Sequence, residues 1–324
     1  MITAAAMMLY EEGHFLLSDP ISRWIPELSG MPVVDASAAP AVTSEKYPVK
    51  TARGPITVGH LLTHTAGLAG DNSGVTAPEF QKIRPQSIPN DTLAAFASRL
   101  SKVPLSFEPG SAWQYGFATD IIGRLIEVIS GQPLDQFLHE RLLEPLQMSD
   151  THFYLPSGKV PRLTSVYRQT EGKRLEVVET GSVDSPYVQR GSYLSATGGL
   201  TSTVGDVFTF HQMMLNGGEL NGRRLLGRKT VELITANNTG NLFRIAPGMH
   251  FGLGYAIVKD VGETGLSGST GMYTWPGSLT TTAFVDPAEG LVAVMMIQLQ
   301  PRSARITNEF QALVYQAIID RAEK

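Results

Sequence analysis

The chain has 324 residues, enough for one large domain or two intimate ones around a substantial core. A net charge of −4 gives no electrostatic reason to expect nucleic acid or an anionic membrane as partner. Cysteine is absent, which removes disulfides, thiolate nucleophiles and Cys-ligated metals, and no apolar run approaches the ~18 residues that span a bilayer. The first residues lack the basic-then-apolar layout of a signal peptide, so a cytoplasmic location is expected.

In chain order, Met1–Gly13 reads as helix from its first residue, with Ile2, Ala6, Met7 and Tyr10 at apolar positions and Gly13 as C-cap. No N-cap residue precedes it. Residues 32–55 read as a loop. Ile56–Leu68 forms a short helix and turn in which His60 and His64 have the i, i+4 spacing of a zinc pair. The Glu of His-Glu-x-x-His is missing, so packing is the better reading and no metal is expected. After a second loop, 69–90, Asn90 or Asp91 caps a helix reaching about Lys102.

The most informative stretch follows. Phe107-Glu-Pro-Gly-Ser-Ala-Trp-Gln-Tyr115-Gly-Phe-Ala-Thr-Asp120 runs from a Pro-Gly turn into a helix over Ile121–Ile129. Tyr115 therefore stands just before a helix N-terminus, where free N–H groups and the dipole favour negative charge. A phenol with a pKa near ~10 is a poor base at neutral pH unless a cation or dipole lowers that value. Taken alone, such a tyrosine reads more simply as an aromatic that fastens the helix start.

Leu134–Leu146 is a further amphipathic helix, and Leu163–Gln169 with Leu175–Glu179 suggests a hairpin. Gly198–Thr203 leads into a helix at Val204–Leu215. Its Gly-Gly pair has neither dinucleotide nor P-loop spacing, so packing explains it better. A short helix over Leu225–Ile234 precedes β-rich runs at Phe251–Lys259, Met272–Pro276, Leu279–Val285 and Leu291–Gln298. A helix from Ser303 to about Ala322 closes the chain. The expected class is α+β: an antiparallel sheet flanked by helices, with an inserted helical lobe roughly over 50–180 and the α/β part drawn from 1–30 and 181–324.

Phe-Glu-Pro-Gly-x-x-Trp-x-Tyr-x-x-Ala-x-x-Ile-x-Gly resembles the tyrosine motif of the serine β-lactamase-like superfamily, which includes class C β-lactamases and penicillin-binding proteins. Its Tyr-x-x-Ala-x-Asp form is most similar to the family VIII carboxylesterases. His60-Leu-Leu-Thr-His-Thr-Ala-Gly-Leu68, Gly199-Leu-Thr-Ser-Thr203 and Trp275-Pro-Gly-Ser278 also resemble family blocks and stand in family order, so the resemblance covers nearly the whole chain. Family members carry Lys-Thr-Gly, His-x-Gly or Trp-Gly-Gly where Trp275-Pro-Gly stands, although Pro276 suits only an edge or irregular strand.

The resemblance implies a β-lactamase/transpeptidase-like fold and a serine hydrolase that needs no cofactor, acting on an acyl ester or β-lactam through an acyl-enzyme. Tyr115 would exchange protons with the serine, and the N–H of Ser278 would supply one oxyanion-hole donor. Gly277, Trp275 and Phe117 would line the substrate. Phe117 replaces the Asn of the β-lactamases, which implies a preference for plain esters.

The departure is the nucleophile. The chain contains neither Ser-x-x-Lys, which the family pattern places immediately ahead of Met1, nor a Gly-x-Ser-x-Gly elbow. Ser267, Ser269 and Ser278 lie near the third motif without an adjacent lysine or histidine to activate them. The expectation is an N-terminally truncated hydrolase whose sheet edge is exposed, so that like chains associate. The alternative is a non-catalytic binding protein with an acyl-sized pocket at Tyr115, Phe117 and Trp275.

Overall fold

The computed structural model describes residues 1–38, 47–70, 74–84, 90–172, 174–189, 191 and 193–319. Helix α1 (Ile2–Glu11) buries Ile2 and every residue from Ala4 to Leu9, so it is apolar nearly all round, as a central helix must be. Strands β1 (Pro32–Val34) and β2 (Val49–Thr51) pair antiparallel inside the stretch expected to be loop. Helix α2 (Val58–Leu62) starts with a capping box in which Thr57 and His60 satisfy each other's backbone N–H groups. It ends before His64, whose backbone is left-handed (φ 55°), so the two histidines do not share a helical face.

Helix α3 (Ala77–Lys82) occupies part of the second expected loop. Helix α4 (Leu93–Leu100) is capped by Thr92 and not by Asn90 or Asp91, because the Asp91 carboxylate is engaged by Arg99. Helix α5 (Ala118–Ser130) begins three residues earlier than periodicity indicated and ends on left-handed Gly131. Helix α6 (Leu134–Leu138) passes into a π-helical turn at His139–Leu143.

Strands β3 (Val166–Gln169) and β4 (Leu175–Glu179) form the expected hairpin. Helix α7 (Val204–Leu215) is capped by the Thr203 hydroxyl. A two-residue hairpin, β5 (Glu219–Leu220) and β6 (Arg223–Arg224), leads to helix α8 (Arg228–Ile234).

The main sheet follows: β7 (Met249–Phe251), β8 (Ala256–Val258), the short helix α9 (Val261–Thr264), then β9 (Tyr273–Thr274), β10 (Thr282–Asp286) and β11 (Leu291–Met295). Its order is β11-β10-β9-β8-β7, antiparallel throughout. The single run expected at 251–259 is thus a hairpin, folded where Gly252 N–H bonds Tyr255 O (2.8 Å). Residues 279–281 precede β10, so the third expected strand starts only at Thr282. Strand β12 (Leu299–Gln300) returns parallel to β3.

Alternation along these strands builds two layers. Tyr273 and Val285 join the large core that includes Phe210 and Met213 of α7. Met272, Phe284 and Ala293 face helix α10 (Ala304–Tyr315) through Phe310, Val314 and Tyr315. Tyr315 also donates to the buried Asp286 carboxylate (2.5 Å), fixing α10 to the β10–β11 turn. Helix α10 ends at Tyr315, short of the expected Ala322, which lies outside the described residues. Among the described residues no helix is long and apolar enough to cross a membrane.

Candidate active site

Tyr115 lies two residues before the α5 N-cap, Phe117, on a loop held from both sides. Gly110 N–H bonds Thr65 O (2.8 Å) and Gln114 N–H bonds His64 O (3.0 Å), so the loop is tied to the segment after α2. The Tyr115 ring packs on His64 with centroids 4.6 Å apart and on Trp275 at 5.4 Å. Trp113 extends the cluster, meeting Phe243 edge-on at 4.7 Å and Phe251 at 5.1 Å, while Phe251 meets Trp275 at 5.1 Å. The tyrosine motif and the Trp-Pro-Gly strand end therefore converge through one aromatic wall.

The electrostatics of this wall are apolar in character. Tyr115 is 38% exposed, yet enough of it is desolvated to raise its phenol above the usual range. The Trp275 indole N–H, facing the phenol oxygen, offsets part of that rise, and the Asp120 carboxylate adds to it. At neutral pH Tyr115 is accordingly a neutral phenol. His64 is buried, its Nδ1 makes no hydrogen bond, and desolvation lowers its pKa to about 4, so the imidazole is neutral too. The Trp113 Nε1 is likewise buried without a partner.

Trp275-Pro-Gly follows the end of β9 outside the ladder, as suits Pro276, and Ser278 begins a turn. Gly277 N–H closes the following turn on Thr281 O (2.8 Å). A Cβ at Gly277 would lie 2.1 Å from the Thr281 hydroxyl, so a side chain there would force Thr281 into another rotamer. Ser278 is exposed, and its N–H makes no hydrogen bond among the described residues.

Tyr115, Trp275, Gly277 and Ser278 all line one cleft of about 1000 Å³. Thr197 and Gly198 also line it, and Glu179 and Arg302 are its charged residues among those described. No lysine or histidine is among the described lining residues, so Ser267 and Ser278, which do line the cleft, have neither beside them there. Phe117 does not join them. Its ring turns into the helical layer against Phe96 (5.1 Å) and Phe80 (5.8 Å). His64, Trp113, Phe243 and Phe251 were not singled out for this wall from sequence, because the four come together only through the fold.

Comparison with known proteins bears directly on this arrangement. A family model described as Beta-lactamase matches residues 1–316. The chain belongs to that family. Protein Rv1367c of Mycobacterium tuberculosis is 35% identical over 311 residues, spanning 92% of this chain and 75% of that protein. Esterase EstB of Burkholderia gladioli is 25% identical over 324 residues, 91% of this chain and 74% of the esterase. The solved structure of EstCE1, described as a hydrolase with promiscuous acyltransferase activity, superposes with a TM-score of 0.82 over 97% of this chain and 82% of its own. At 24% identity that likeness establishes the β-lactamase-like fold. The resemblance drawn from the four sequence blocks is thus borne out at the level of fold and family.

Proposed function

We propose that the cleft is the acyl-binding part of a serine esterase site, in which a Ser-x-x-Lys pair acts together with Tyr115 on acyl esters. The observation that carries this reading is the convergence of Tyr115, Trp275 and Ser278 on one cleft. In the proposed reaction the serine oxygen bonds the ester carbonyl carbon, and its proton passes to the Tyr115 phenolate. The carbonyl electron pair moves onto oxygen, and the Ser278 N–H donates a hydrogen bond to that oxyanion. Collapse breaks the ester C–O bond and the leaving alkoxide takes the proton from Tyr115. Water then hydrolyses the acyl-serine by the same exchange.

The positive charge of the motif lysine is what this phenol lacks in the chain itself. A nearby cation favours the phenolate, against the desolvation that now holds the phenol neutral. The cleft volume reaches the upper end of the ~300–1,000 Å³ typical of ligand sites. That is room for an ester bulky on its acyl or its alcohol side, and esterase and acyltransferase relatives make either sense of it.

The test joins the upstream segment of a family member, through its Ser-x-x-Lys turn, to Met1 and follows p-nitrophenyl butyrate hydrolysis. Turnover that falls ~10²–10⁴-fold in Tyr115→Phe is the expected result. Equal turnover by the Phe variant would remove Tyr115 from the mechanism. A second reading is a non-catalytic binding protein on this scaffold, with the neutral Tyr115 phenol and Trp275 lining its pocket. It predicts saturable quenching of Trp fluorescence by the ester with no hydrolysis in either form.

A further inference from the structure

Asp120 is an unusual residue to find where it lies. It is 2% exposed at the third position of α5, five residues from Tyr115. Desolvating a carboxylate costs several kcal/mol unless donors compensate it, and no ion pair to Asp120 occurs among the described residues. Its donors come from a single short segment. Ser195 Oγ and Thr197 N–H both reach Oδ1 at 3.3 Å, and the Thr197 hydroxyl donates to Oδ2. The Tyr193 phenol, raised by its own burial and by Asp120, faces the carboxylate as well, with Arg99 and Asp91 beyond it.

A second feature of α5 points to the same segment. Gly123 is one turn further along the helix, and a Cβ there would lie 2.8 Å from the Ala196 Cβ. The helix thus offers one face, a carboxylate and then a gap, and residues 195–197 fill both. What the segment gains is position: Thr197 and Gly198 line the same cleft as Tyr115.

We infer that Asp120 is a positioning residue that clamps the 195–198 segment to α5 and so sets the width of the acyl cleft beside Tyr115. The inference deepens the esterase reading, because the cleft it shapes is the one assigned there to the ester. The clamp itself does not depend on turnover. Asparagine can take over most of it: its oxygen replaces Oδ1 and its NH₂ can donate to the Thr197 hydroxyl. Alanine can take over none. The charge of Asp120 acts separately, by disfavouring the Tyr115 phenolate.

The experiment compares wild type, Asp120→Asn and Asp120→Ala by hydrogen–deuterium exchange and by spectrophotometric titration of the Tyr115 phenol. Asp120→Ala should speed exchange of the Thr197 amide ~10-fold or more over wild type and should weaken binding of p-nitrophenyl butyrate, read by Trp quenching. Asp120→Asn should keep exchange near wild type while moving the Tyr115 titration to lower pH. A folded Asp120→Ala variant with wild-type exchange at 195–198 would overturn the clamp. If that variant does not fold, Gly123→Ala serves instead, since its methyl pushes on Ala196 without touching the cleft; unchanged exchange there would also overturn it. Loosened exchange with unchanged ester binding would leave the clamp standing and count against the esterase assignment of the cleft, so the two failures are distinguishable.

Discussion

At the scale of single residues, the site is a phenol kept neutral by an apolar wall. Trp275 provides the one indole N–H that relieves Tyr115, and removing it has a definite sign. Trp275→Phe should move the Tyr115 titration further upward, because a hydrogen bond to the charged form is lost; an unchanged titration would show that the indole does not reach the phenol. His64 gives the corresponding prediction for stability. Its folded pKa of about 4 lies below the unfolded value near 6.5, so the unfolded state binds the proton first. Stability is therefore retained above about pH 6.5 and lost as pH falls toward 4, by about 3 kcal/mol in all. Chemical denaturation at pH 7 and pH 4.5 should show that loss, and His64→Phe should remove most of it.

Elements impose their own constraints. The segment before α4 is tied to that helix by the Asp91 carboxylate, whose side chain is 1% exposed and whose partner is Arg99. Arg99→Ala would leave that carboxylate buried and unpaired, for an expected loss of ~3–5 kcal/mol. A midpoint of unfolding within error of wild type would mean that water reaches the carboxylate in its place. The short elements also explain what the sequence could and could not disclose. Helix α7 and the Tyr115 helix, of twelve and thirteen residues, stand out because each is long enough to show a helical period. Helix α3 and strands β1 and β2, of three to six residues, carry too few residues for any period and lie in segments rich in Pro, Ala and Gly. The β7–β8 hairpin looks like one strand in sequence because its turn, Gly252-Leu-Gly-Tyr255, keeps an apolar character that turns usually lack.

For the molecule as a whole, family and fold were legible because four separated motifs keep their order. Trp275, Gly277, Ser278 and Tyr115 were legible as cleft residues for the same reason. Phe117 was not, since a motif position fixes the backbone and not which way a ring turns. Nor were His64, Trp113, Phe243 and Phe251 legible as one wall, because up to 187 positions of chain separate residues that meet in space, Phe251 and His64 among them at 5.8 Å. On the proposed esterase reading, a Phe117 ring turned into the helical layer leaves the cleft without an amide donor from position 117, and plain esters are the expected substrates. In the joined protein described above, hydrolysis of p-nitrophenyl esters should exceed that of a cephalosporin, and the reverse order would refute this preference.

The most direct measurement is the intact mass of the protein before and after a fluorophosphonate probe, on residues 1–324 and on the same chain joined to a Ser-x-x-Lys segment. The serine hydrolase account predicts a single phosphonyl adduct on the joined protein, mapping to that serine, and none on residues 1–324 alone. An adduct on a serine within residues 1–324 would contradict it, as would a folded joined protein that takes no phosphonyl group.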